Sequence, residues 1–99
     1  MSSILYIPPS SLPSFLEEFL RYRLGKARTD HVSFRLTYLA KLHGYSMLHP
    51  MSAVFAHYLL THQYRVFRVN GVEWRLVSVE ERRRGSSIMR IYHYKRTSL

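Results

Sequence analysis

Cysteine is absent from the 99-residue chain, which excludes a disulfide scaffold, cysteine-bearing zinc sites and thiol catalysis together. Carboxylates are scarce. Six Asp and Glu stand against fifteen Lys and Arg, so acid–base chemistry by paired carboxylates has little to draw on. Asp30, Glu73 and Glu80 have no spacing that asks for a metal-dependent nuclease. Only four glycines occur, and none builds a phosphate-cradling loop or a Gly-x-Ser-x-Gly nucleophile elbow. His31, His43, His49, His57, His62 and His93 include no i,i+4 pair of the kind helical zinc sites use. No catalytic residue, metal or cofactor is expected.

Long apolar runs are also missing. Met1 to Leu16 is uncharged, lacks the basic start of a secretory signal and is broken by Pro8, Pro9 and Pro13. Leu42 to Tyr64 could span a bilayer by count, but His43, His49, Pro50, Ser52, His57, Thr61, His62 and Gln63 load it with polar groups. The expectation is a cytoplasmic protein without a membrane partner.

What the chain does have is charge of one sign. It carries a formal +9 with a pI near 10.4, which points to an anionic polymer as partner. Residues 21–41 hold Arg21, Arg23, Lys26, Arg28, Arg35 and Lys41 against Asp30 alone. Residues 82–99 hold Arg82, Arg83, Arg84, Arg90, Lys95 and Arg96 with no acid. Between these blocks, residues 42–63 carry no Lys, Arg, Asp or Glu, although four of the six histidines fall there. With 46% hydrophobic residues the chain can build a core, and residues 1–99 read as one domain.

The first two thirds read as helices. Ser11 or Ser14 is placed to cap the first, with Pro13 in its first turn and Glu17 and Glu18 at its positive end. Phe15, Leu16, Phe19, Leu20 and Leu24 make one apolar stripe, which Gly25 stops. A second helix is predicted from about Ser33 to His43, closed by Gly44. A third begins near Pro50, with Met51, Val54, Phe55, Tyr58 and Leu59 as its buried stripe and His49, Ser52, Ala56 and Gln63 outward. Strands follow. Asn70-Gly71 is a type I′ hairpin signal between Tyr64–Val69 and Val72–Val79. Counting outward from it pairs Val69 with Val72, Arg68 with Glu73, Phe67 with Trp74 and Val66 with Arg75. Phe67, Val69, Val72, Trp74 and Leu76 thus share one face. A third strand, about Ser87 to Lys95, returns through a loop at Arg82-Arg83-Arg84-Gly85, adding Met89 and Ile91 to the apolar face and Arg90, Tyr92 and Tyr94 to the charged one.

Three helices followed by a long hairpin, with Leu39-Ala40-Lys41-Leu42-His43-Gly44-Tyr45-Ser46, resemble a winged helix-turn-helix DNA-binding domain over residues 31–96. The resemblance implies that Pro50 to Gln63 is the recognition helix and that the strand pair with Arg82, Arg83 and Arg84 is the wing. A short strand between the first two helices would fall at Asp30 to Ser33. In composition the chain is also similar to small basic proteins of viruses of hyperthermophilic archaea, which implies a host-cell cytoplasmic setting.

The expected architecture is α+β: three helices, then a three-stranded antiparallel sheet, around Phe15, Phe19, Leu39, Phe55, Phe67, Trp74 and Ile91. The expected function is non-catalytic binding of nucleic acid, preferentially double-stranded DNA, in a small transcriptional regulator. Arg82, Arg83, Arg84, Arg21, Arg23, Lys26 and Arg28 are the candidate phosphate contacts, and His49, Ser52 and Gln63 the candidate base contacts. Arg90, Tyr92 and Tyr94 offer a stacking platform for a single strand. The competing expectation is an interaction or structural protein that forms a homodimer through helix 50–63, its charge serving solubility.

Overall fold

The computed structural model describes residues 7–42, 44 and 50–97. A 3₁₀ turn, Pro9–Ser11, leads into α1 (Leu12–Gly25). Then come β1 (His31–Phe34), α2 (Leu36–Leu42), α3 (Pro50–Thr61), β2 (Val66–Val69), β3 (Val72–Arg84) and β4 (Ser87–Arg96). The fold is α+β, and its antiparallel sheet has the order β1-β4-β3-β2. The sheet therefore has four strands where the hairpin pattern predicts three. His31–Phe34 supplies the fourth, and by taking Ser33 and Phe34 it delays the start of α2 to Leu36.

Helix α1 buries Leu12, Leu16, Phe19, Leu20 and Leu24 on one stripe. Pro13 sits in its first turn, where a missing N–H costs nothing. Ser11 is the N-cap residue but its side chain makes no capping bond. Glu17 and Glu18 lie beyond the first turn, so the positive helix end does not explain them. Glu17 instead pairs with Arg21 at 3.7 Å and accepts a hydrogen bond from the Tyr64 hydroxyl at 3.3 Å.

The Asn70-Gly71 turn has positive φ at both residues (53° and 77°), as a type I′ turn requires. It sets the β2–β3 register at the four pairs counted from the sequence. Trp74 is 3% exposed and sits opposite Phe67.

Beyond Leu76 the alternation changes. Leu76 pairs with Tyr94 but Ser78 pairs with His93, which leaves Val77 as an extra, outward residue. This bulge shifts the inward set of β3 from even to odd positions. In β4 the inward residues are Tyr92 and Tyr94, both fully buried, rather than Met89 and Ile91. Phe34 of β1 packs on both tyrosine rings at 5.8 Å and on Phe19 edge-on at 4.9 Å. The buried hydroxyls are satisfied: Tyr94 donates to the Tyr64 carbonyl at 2.7 Å, and Tyr92 Oη lies 2.9 Å from His57 Nδ1. Phe15 and Phe55 pack only partly buried against this core, and Ile91 belongs to the opposite sheet face.

Helix α3 is turned about its axis relative to the predicted stripe. Ser52, Ala56, Leu59 and Leu60 are buried, whereas Met51, Val54 and Tyr58 are 65%, 63% and 55% exposed. The cause is size. Small residues at 52 and 56 let the helix approach the chain entering α1, and Ser52 Oγ donates to the buried Ile7 carbonyl at 3.0 Å.

Candidate nucleic-acid interface

Strands β3 and β4 outrun their neighbours. β2 pairs only with residues 72–75 of β3, and β1 only with residues 92–95 of β4. Residues 79–84 and 87–91 consequently form a two-stranded arm, and the molecule measures 51 × 28 × 23 Å. Gly85, at φ 60°, makes the tip. Arg82, Arg83 and Arg84 lie within β3, opposite Met89, Ile88 and Ser87, not in a connecting loop. Strand alternation places Arg82 and Arg84 on one side of the arm and Arg83 on the other. All three are exposed.

Acids at the arm's base neutralise part of this charge. Arg82 Nε donates to Glu80 at 2.7 Å, and Arg90 Nε to Glu81 at 3.1 Å. Among the described residues, Arg83 and Arg84 make no ion pair. The three arm arginines border an open groove of about 640 Å³ with Arg35 and Met89, and among the described residues no carboxylate lines it. Arg35 follows β1 directly. It reaches back to Met89 Sδ at 3.0 Å and forward to the Tyr38 hydroxyl at 3.3 Å.

From Arg35 the basic surface continues along the β1 side of the molecule. Arg23, Ser33, Arg35, Tyr38 and Ile91 line the adjoining depression. Next to it, Tyr22, Arg23, Tyr38 and Lys41 border a pocket of about 280 Å³ that Phe19 and Leu42 also line. A further depression takes in Lys26 and His31. Again no carboxylate lines any of the three. Arg23 Nη2 donates to the Ser33 carbonyl at 2.8 Å, while its buried Nε has no partner among the described residues. The Tyr22 phenol pKa is lowered by a hydrogen bond from Lys26 and that residue's charge, and the Tyr38 phenol likewise by Arg35. Two basic segments far apart in sequence thus form one band, and Arg35 joins them.

No family model, curated protein or solved structure matches the chain.

The candidate residues divide sharply. Arg82, Arg83, Arg84, Arg23 and Lys26 lie on the band. Arg21 does not: one helical turn from Glu17, it sits 6.0 Å over the Phe67 ring, on the β2 side. Arg28 is exposed between α1 and β1, and Gln63 is exposed beyond α3. Ser52 is fully buried and cannot reach a base. His49 lies outside the described residues. Arg90 is tied to Glu81, and Tyr92 and Tyr94 are buried in the core, so this trio forms no stacking platform. The band also takes in Arg35 and Lys41, which the sequence shows only as members of the basic block 21–41, and Tyr22 and Tyr38, which lie outside the sequence candidates. The Tyr22/Lys26 and Arg35/Tyr38 spacings, four and three residues, were the available signal.

On the open sheet face, His31 Nε2 lies 3.0 Å from His93 Nδ1, and His93 Nε2 lies 3.3 Å from Glu80. This chain of contacts links β1, β4 and β3. Among the described residues, no three His, Asp or Glu converge to hold a metal ion, and no helix is long and apolar enough to cross a membrane.

Proposed function

We propose that the protein binds double-stranded DNA without catalysis, seating the β3–β4 arm in a groove and laying the band from Arg35 to Lys26 along phosphates. One observation carries the reading: four guanidinium groups, Arg35, Arg82, Arg83 and Arg84, border a single groove that no carboxylate lines. A duplex suits this arm better than a lone strand does. A two-stranded ribbon fits the major groove, and cations on both sides of the ribbon meet phosphates on both walls.

Topology favours the same reading. The order α1-β1-α2-α3 followed by β3 and β4, with β1 paired to the last strand, resembles a winged helix-turn-helix domain with β2 added at the edge. In that reading α3 is the recognition helix, the arm is the wing, and the protein is a small regulator. The exposed side of α3 would meet DNA through Met51, Val54 and Tyr58, of which only Tyr58 carries a strong hydrogen-bonding group. Those same side chains favour a second reading, an alternative to the recognition-helix role, in which α3 pairs with α3 of another copy while the arm alone meets DNA, since a +9 chain self-associates best through an uncharged face.

The test is duplex binding across a salt series. Each phosphate neutralised adds roughly 0.9 to the slope of log K against log salt. Replacing Arg82, Arg83 and Arg84 together with Ala should flatten that slope by about two to three. An unchanged slope would place the contacts elsewhere. No duplex binding by the wild type at low salt would overturn the reading.

A further inference from the structure

The pocket between α1 and α2 has features that phosphate binding alone does not require. Tyr22 and Tyr38 both border it, each 45% exposed. Each carries its own cation: Lys26 Nζ stands 4.3 Å from the Tyr22 ring centre, and the Arg35 guanidinium 5.4 Å from that of Tyr38. Arg23 and Lys41 complete the rim, Phe19 and Leu42 give it an apolar lining, and no acid lines it. The arm shows the opposite character, with cations on both sides and no aromatic residue between positions 80 and 91.

We infer that this pocket holds an unpaired nucleobase, stacked on Tyr22 or Tyr38 with its phosphate against Lys41 or Arg23. The chemistry follows from the parts. An aromatic face accepts any base, because every base has a π-face, and adjacent cations bind the phosphate that comes with it. The lowered phenol pKa values of Tyr22 and Tyr38 report the same concentration of positive charge. The pocket shares Arg23 and Tyr38 with the depression that begins at Arg35. A duplex on the arm would therefore send a single-stranded end toward it. This inference rests on the duplex-binding reading for its partner, a duplex carrying an overhang. The pocket chemistry itself would serve a free nucleotide equally.

The experiment compares one duplex in three forms: blunt, with a six-nucleotide 5′ overhang and with a six-nucleotide 3′ overhang. The ratio of overhang to blunt affinity is the readout, so any change in duplex affinity common to both forms cancels. Stacking of one base predicts a ratio of at least about fivefold for one overhang polarity in the wild type. Tyr22→Ala with Tyr38→Ala should lower the ratio about fivefold or more, to what the phosphate contacts of Lys41 and Arg23 leave, whereas Tyr22→Phe with Tyr38→Phe should keep it, since the rings remain. A ratio of one in a wild type that binds blunt duplex overturns the pocket and leaves the duplex reading standing. A ratio that survives both alanines also overturns it. Binding of the single strand alone, with no blunt-duplex binding and with loss in the alanine pair, supports the pocket and ends the duplex reading. In a separate arm, deoxyadenosine monophosphate is titrated beside inorganic phosphate. Tighter binding of the nucleotide that depends on both rings identifies free nucleotide as a ligand of the same pocket, and equal binding of the two assigns the site to its cations and overturns the stacking.

Discussion

Three tyrosines tie the helices to the sheet, and their hydroxyls make the molecule sensitive to alkali. Burial raises the Tyr92 phenol from its ordinary 10.0 to about 12 and pushes Tyr94 higher still, and burial with the neighbouring Glu17 raises Tyr64. A proton held more tightly in the folded state favours that state while the phenols stay protonated, and the advantage is lost once the unfolded chain can ionise. Stability is thus intact below pH 10 and falls as pH rises toward 12, by roughly 3 kcal/mol for Tyr92 alone once both states ionise. Denaturant midpoints measured between pH 8 and 12 should decline above 10, and a flat profile would contradict the burial of these rings. His57 acts at the other end of the scale. Burial, with the Arg90 charge, lowers its pKa below 6.5, so stability should also drop as pH falls through 6.5 and the unfolded chain takes the proton first. Trp74 supplies a packing test: Trp74→Ala should cost about 3–5 kcal/mol by chemical denaturation. Trp74 was legible in the sequence because the Asn70-Gly71 turn fixes which residues face it. The burial of Tyr92 and Tyr94 was not, because Ile91 and Met89 offer β4 an equally apolar alternative phase.

At the level of elements, the phase of β4 and the rotation of α3 share one lesson. Hydrophobic alternation names a face only until something shifts it. The adjacent apolar pair Leu76-Val77 breaks the period of two, and the structure places a bulge there. In α3, apolar residues run nearly all round the helix, so hydrophobicity alone could not choose a side, and the small Ser52 and Ala56 chose it by fit. Ala56→Leu should therefore destabilise the protein by about 1–3 kcal/mol through overpacking, while Val54→Ser should stay within about 0.5 kcal/mol. Thermal melts of the two variants at equal, dilute concentration decide the matter. The reverse ranking would restore the stripe Met51, Val54, Phe55, Tyr58 and Leu59 to the core. The arm makes its own prediction: with no third strand beside it, backbone amides of residues 80–84 and 87–91 should exchange with deuterium faster than those of residues 74–76 and 92–96.

At the scale of the whole molecule, arginines lie on both sides, but Arg21, Arg68 and Arg75 on the β2 side pair with Glu17 and Glu73. The basic blocks at residues 21–41 and 82–99 were legible from composition, as was the neutral stretch between them. Their meeting was not, because it depends on β1 pairing with β4 and so bringing Arg35 beside the arm. The central claim is that anionic backbone binds along the β1 edge and the arm, and that the total charge of the chain does not account for it. Two variants of equal charge test it most directly. One replaces Lys26, Arg35, Arg83 and Arg84, all on the band, with Gln. The other replaces Arg21, Arg65, Arg68 and Arg75 with Gln; Arg21 sits over Phe67, exposed Arg65 precedes β2 with its carbonyl accepting from the Leu76 N–H, and Arg68 and Arg75 pair with Glu73. With Trp74 fluorescence confirming that both remain folded, duplex affinity is measured from low to moderate salt. The band variant should flatten the slope of log K against log salt by about three to four, and the other variant by less than about one. Equal losses in the two variants would show that net charge alone governs binding and would contradict the assignment of a site.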